Sequence, residues 1–223
     1  MCSSDLEAMG GSGDPSPFTA YGVYVAMKAS ANEKYGSDSL KGKKILVQGL
    51  GNVGGHLVEH LSKEGAELFL YDINQERVKE LVSKFKATAA DPATMFDLDI
   101  DIYSPCALGA TVNDYTLEKL KCQIICGAAN NQLEDEVKHG ETVMKKGILY
   151  APDYVVNSGG IINVYYELDK YNRDRALNHT EKIYETTRNI FQVSKSENIP
   201  TYLAANRLAE KRIQAIAGVK VKF

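Results

Sequence analysis

The apolar positions of this chain alternate between two patterns. Short unbroken runs, "KKILVQG" (43–49) and "ELFLYD" (67–72), are bounded by glycine or polar residues. Runs of that length predict strands buried on both faces. Between them, apolar residues recur three and four apart. Phe18, Tyr21, Val25 and Ala29 predict a helix over 16–36, with Ser16 as its cap, Pro17 at its first position and Gly36 as its stop. Val53, Leu57 and Leu61 predict a second helix over 52–64, stopped by Gly65, and residues 74–85 a third. The alternation continues with strands at 99–105, 122–128 and 148–152, and helices at 113–121 and 135–147. From Asn157 onward only helical spacing remains, over 158–170, 174–197 and 201–217. Strands separated by helices imply a parallel sheet covered on both faces.

Composition narrows the function. The 223 residues are 44% hydrophobic and 25% charged, with a net charge of -3 and both signs dispersed. No basic stripe points to nucleic acid or a membrane surface. No apolar run approaches the roughly 18 residues that span a bilayer. The opening "MCSSDLEAMG" lacks the basic and apolar regions of a secretory signal. Of the four cysteines, Cys2, Cys106, Cys122 and Cys126, none forms a CxxC pair, and Cys122 and Cys126 read as buried free thiols. That usage suits a reducing cytoplasm. Asn178-His179-Thr180 matches a glycosylation acceptor but carries no weight without a secretion signal.

The turn after the first strand carries chemistry. "VQGLGNVGG" sets Gly49, Gly51 and Gly54 in G-x-G-x-x-G spacing, after a predicted strand and into a predicted helix. Gly49 permits the tight turn, Gly51 lets backbone amides approach a pyrophosphate, and Gly54 lets helix and strand pack closely. The helix start supplies unpaired N–H groups and a positive dipole. Asp72 ends the next strand, 18 residues past Gly54 (72 − 54). An acid there accepts ribose hydroxyls and repels a 2′-phosphate, and no Arg or Lys follows directly in "YDINQ". The cofactor expected is therefore NAD. The fold reading is α/β: a Rossmann-like doubly wound parallel sheet with a helical C-terminal extension. It divides into a lead over 1–12, a cofactor domain over 13–165 and the extension over 166–223. On the same helix His56, Glu59 and His60 match H-x-x-E-H, a zinc pattern. The histidines flank the apolar stripe and no third ligand is evident, so they read as a helix face, and no metal is expected.

Seven segments in one order carry a resemblance: "GDPSPFTAYGVY" (13–24), "VQGLGNVGG" (47–55), "YDIN" (71–74), "PCALG" (105–109), "GAANNQL" (127–133), "APDYVVNSGG" (151–160) and "IPTYLAANRLAEKRI" (199–213). Together they resemble the cofactor-binding half of the glutamate/leucine/phenylalanine/valine dehydrogenase family. The resemblance implies reversible NAD-dependent deamination of an L-amino acid to a 2-oxo acid and ammonia, in a homo-oligomer whose active site lies between two domains. It puts the catalytic lysine and acid–base aspartate in an N-terminal domain. No Gly-Gly-Gly-Lys segment occurs here, so the chain is expected to be the cofactor half of a longer enzyme, with no catalytic residue of its own. A stand-alone NAD-binding module without turnover is the alternative. By resemblance the cofactor set comprises Thr19, Gly49, Leu50, Gly51, Asn52, Val53, Gly54, Asp72, Ile73, Ala107, Leu108, Ala128 and Asn131. Asn131, Ile161 and Val164 face the substrate. Ile161 and Val164 lie three apart, hence on one helix face, and two aliphatics there suit a branched apolar side chain.

Overall fold

The computed structural model describes residues 11–168 and 170–217. Cys2, most of the predicted lead and residues 218–223 of the predicted extension lie outside them. The elements are α1 (Ser16–Tyr35), β1 (Lys44–Gln48), α2 (Asn52–Lys63), β2 (Glu67–Tyr71), α3 (Gln75–Phe85), β3 (Thr88–Ala89), β4 (Ile102–Pro105), α4 (Asp114–Lys119), β5 (Ile124–Ile125), α5 (Glu136–Lys145), β6 (Leu149–Tyr150), α6 (Asp153–Val156), α7 (Gly159–Tyr165), α8 (Arg173–Glu181), α9 (Ile183–Glu197) and α10 (Thr201–Ala217).

The strands form one parallel sheet in the order β3-β2-β1-β4-β5-β6. The chain builds outward from β1 to β3, then crosses to the other side of β1 and continues from β4. That reversal opens a crevice beyond the carboxyl ends of β1 and β4, where ligands bind in open α/β sheets. Side chains alternate across the sheet. Ile45 and Val47 of β1, Ile102 of β4 and Ile124 of β5 pack with α1, α2 and α3 on one face. Leu46, Tyr103 and Ile125 pack with Leu117 of α4 and Val143 of α5 on the other. Both faces are therefore core, which is why the strand sequences are unbroken apolar runs. Leu57 and Leu61 are fully buried on the inner face of α2. Each stabilises the fold by about 1.5–3 kcal/mol relative to an exposed leucine.

Four local expectations need correction. The helix over 16–36 starts one residue early. Ser16 is already the first helical residue, so Pro15 takes the cap position without a side-chain bond and Pro17 falls second, while the Ser16 N–H donates to Asp14 Oδ1 at 2.9 Å. The strand over 122–128 shrinks to Ile124–Ile125, because only these residues pair with both β4 and β6. The helix over 174–197 is two helices. At Lys182 the N–H bonds back to His179 O at 3.1 Å, an i−3 bond that tightens the turn and redirects the chain. No Gly or Pro marks that break. The helix over 158–170 ends at Tyr165 and continues as a 3₁₀ turn to Leu168. In addition, Thr88–Ala89 adds an edge strand beside Phe69 and Leu70. Both residues are exposed and polar or small, so their sequence carries no strand pattern.

Candidate functional site

The site starts from one turn. After β1 the chain turns at Gly49, whose φ of +102° suits glycine alone. Its α-carbon lies against the backbone of Ala107, so a side chain there would collide with the loop after β4. Gly54 sits in α2, where a Cβ would land on Gly49 O. These two glycines let α2 start directly against the strand end. Gly51 differs: it is exposed, with φ -63° and ψ -161°, and a Cβ there meets nothing within 4 Å. No side chain caps α2. Its first-turn amides are left for an anion, with the helix dipole behind them.

Asp72 closes the turn from the side. Its Oδ2 accepts from Leu50 N at 2.6 Å and its Oδ1 from Asn74 N at 2.8 Å. Ile73, next to it, is 88% exposed. Cys106 N donates to Gln48 O at 2.7 Å and carries the chain into an exposed loop holding Ala107 and Leu108. The loop after β5 joins it, with Ala110 N donating to Asn131 O at 2.7 Å and Asn131 at φ +52°.

The rim continues through a residue missing from the expected set. Asn157 Nδ2 donates to Asn130 Oδ1 at 2.7 Å and to Ala128 O at 3.2 Å. The amide thus ties the start of α7 to the loop after β5. Its only signal in the sequence is the "NSGG" that precedes a helix. Across the seam, Thr19 on α1 lies against Gly160 and donates to Pro15 O at 3.2 Å. Ile161 and Val164 on α7 are 73% and 39% exposed, so they are an open apolar surface and not a core stripe.

Two clusters result. Gly49, Leu50, Gly51, Asn52, Val53, Gly54, Asp72 and Ile73 gather at the ends of β1 and β2. Ala107, Leu108, Ala128 and Asn131 lie on the loops after β4 and β5, which Asn157 joins to the start of α7; Thr19 on α1 lies against Gly160 of α7, the helix that also carries Ile161 and Val164. From β2 to β5 are three strand spacings, roughly 14 Å. A rim of that length suits an elongated ligand laid across the switch point.

His56 and His60 take no part. The His60 ring stacks on Tyr24 with centroids 5.1 Å apart, and burial pushes its pKa down. Among the described residues no group of three or more His, Cys, Asp or Glu side chains could hold a metal ion. Cys122 and Cys126 are buried and free, and burial pushes the Cys122 thiol up to about 12. No described helix is long and apolar enough to cross a membrane. A cavity of about 460 Å³ lies away from this rim, between α5 and the C-terminal ends of α1 and α9.

A profile of the Glutamate/Leucine/Phenylalanine/Valine dehydrogenase family matches residues 10–72 and 68–218. The chain is similar to a leucine dehydrogenase of Bacillus cereus, 53% identical over 209 residues, which are 94% of this chain and 57% of that protein. It is also similar to an L-tryptophan dehydrogenase of Nostoc punctiforme, 46% identical over 202 residues, 91% of this chain and 57% of that one. A crystal structure of L-tryptophan dehydrogenase from Nostoc punctiforme superposes with a TM-score of 0.88 at 44% identity, covering 90% of this chain and 60% of that chain. The chain therefore spans under two thirds of the length of the relatives it matches.

Proposed function

The chain belongs to the glutamate/leucine/phenylalanine/valine dehydrogenase family, and from that premise we propose that it is the NAD-binding half of an amino acid dehydrogenase. The reaction proposed is oxidative deamination of a branched-chain L-amino acid to the 2-oxo acid and ammonia. The observation that carries the reading is the uncapped start of α2 behind an unobstructed Gly51, with an acid at the adjoining strand end.

The residues fit a dinucleotide. Gly51, Asn52, Val53 and Gly54 offer backbone N–H groups to the pyrophosphate. Asp72 stands at the ribose end with Ile73 beside it. Ala107, Leu108, Ala128 and Asn131 lie along the carboxyl edge, and Thr19 bounds it from α1. A nicotinamide held along this edge would supply the hydride acceptor for the substrate α-carbon. This chain orients that ring and walls the substrate. Asn131 offers an amide that bonds a carboxylate or amino group without titrating. Ile161 and Val164 offer apolar surface to the side chain. A plain nucleotide-binding module has no use for such a wall, so their exposure favours the enzyme over the module.

Cofactor choice tests the reading. Asp72→Asn keeps an acceptor for Leu50 N–H and removes the charge. By fluorescence titration the parent is expected to bind NADH at least about tenfold tighter than NADPH, and the variant to narrow that gap. Equal affinities in the parent refute the assignment. Substrate class needs a two-domain context: a leucine dehydrogenase whose matching segment is replaced by residues 11–217 of this chain. That chimera is expected to prefer leucine, valine and isoleucine to phenylalanine. Val164→Ala removes two methyl groups and moves it toward larger side chains, since each such group shifts discrimination by about 1–3 kcal/mol. A chimera that favours phenylalanine overturns the pocket.

A further inference from the structure

The G-x-G-x-x-G pattern leaves one glycine unexplained. Gly55 lies inside α2, past the motif, where glycine is a poorer helix former than alanine. Its surroundings account for it. A Cβ on Gly55 would stand 2.7 Å from Arg77 Nη2. The guanidinium of Arg77, on the first turn of α3, lies over that bare backbone.

From there Arg77 reaches the turn. Its Nε donates to Leu50 O at 3.1 Å, and its Nη1 pairs with Glu80 Oε2 at 2.7 Å. Leu50 is fully buried. Its N–H already donates to Asp72 Oδ2 at 2.6 Å. Leu50 is thus held at both backbone polar groups by side chains from β2's end and from α3. We infer that Arg77 is a positioning residue which, with Asp72, clamps the glycine turn in the shape that receives the pyrophosphate.

The chemistry separates this role from direct phosphate binding. Glu80 offsets the Arg77 charge, and the bond to Leu50 O engages its Nε. Leu50 lies between Gly49 and Gly51, two residues with no side chain to resist rotation. Left unclamped, the Leu50 peptides can turn and carry the Gly49 C=O and the Gly51 N–H with them. A fixed turn loses less entropy when a ligand arrives. A buried carbonyl is also costly to leave without a donor. The inference about cofactor affinity rests on the cofactor reading above; the clamp itself does not.

Amide hydrogen exchange on the 223-residue chain without cofactor reads the clamp. Arg77→Met keeps the length of the stem and removes both bonds. It is expected to speed exchange of the Leu50 amide, which donates to Asp72 Oδ2, about tenfold, with amides of β4 and α9 unchanged, and to raise the NADH dissociation constant about tenfold. Glu80→Gln spares the Leu50 bond and is expected to stay close to parent in both. Gly55→Ala crowds the guanidinium at Nη2 and is expected to shift exchange in the same direction as Arg77→Met, by less. It also serves if Arg77→Met fails to fold. Parental exchange in both Arg77→Met and Gly55→Ala overturns the clamp. Faster exchange with unaltered NADH affinity overturns its service to the cofactor. If the parent binds neither NADH nor NADPH, the cofactor reading fails and the exchange data still decide the clamp.

Discussion

Gly159→Ala is expected to destabilise the fold by about 3 kcal/mol, the upper end of ordinary overpacking costs. Gly159 opens α7 and is buried against α1. A Cβ there would lie under 3.0 Å from both the carbonyl oxygen and carbon of Phe18, closer than real Cβ atoms come. Those atoms are backbone, so no rotamer relieves the clash and the two helices must part. α1 is packed as tightly one turn along, where a Cβ on Gly22 would meet Val156 O of α6 at 2.8 Å and Ile183 Cδ1 of α9 at 2.9 Å. For a chain of this size the melting temperature should fall by roughly 6–12 °C. The damage reaches the site as well, because α1 carries Thr19 and α7 carries Ile161 and Val164. A thermal melt within 2 °C of parent would show that the seam yields freely.

The seam and the turn differ in how far they could be read from sequence. Gly49, Gly51 and Gly54 lie within six residues of one another in the chain, from 49 to 54, so their spacing alone constrains the turn. Asp72 follows from one strand–helix–strand unit. The β1 and β2 strands were legible for a related reason: both faces of the sheet are core, which writes itself as continuous apolar runs. What stayed hidden depends on contacts between distant segments. Gly159 looks like an ordinary small residue until α7 meets α1, and Gly22 until α1 meets α6 and α9. Arg77 does not directly follow Asp72 and so carries no signal in the sequence, yet the first turn of α3 returns it to Leu50. Asn157 gains meaning only beside Asn130 and Ala128. The break at Lys182 arises from one shortened hydrogen bond that no residue type announces. Thr88–Ala89 is a strand because Phe69 and Leu70 have a free edge to offer, not through its own side chains.

Among the three motif glycines, a methyl group does different things at different places. At Gly54 it strikes Gly49 O, so Gly54→Ala must disturb the turn and any binding with it. Such a variant cannot separate folding from function. Gly51 can.

Gly51→Ala is expected to leave stability within about 0.5 kcal/mol of parent while raising the NADH dissociation constant about 100-fold. The first half follows from geometry. Gly51 is exposed, a Cβ there meets nothing within 4 Å, and its negative φ of -63° demands no glycine. Reducing the freedom of the unfolded chain adds a slight stabilisation where the native backbone suits alanine. The second half follows from what the open space is for. The methyl group would stand in front of the uncapped first turn of α2, where phosphate oxygens must come within about 2.9 Å of backbone N–H groups. A hundredfold loss is about 2.7 kcal/mol, the scale of a few charge-assisted hydrogen bonds lengthened together. A thermal melt and an NADH titration on the same preparation decide it. An unchanged melt with lost binding assigns the space at Gly51 to the pyrophosphate. An unchanged melt with unchanged binding means that the dinucleotide does not pass this turn, and the cofactor reading falls with it.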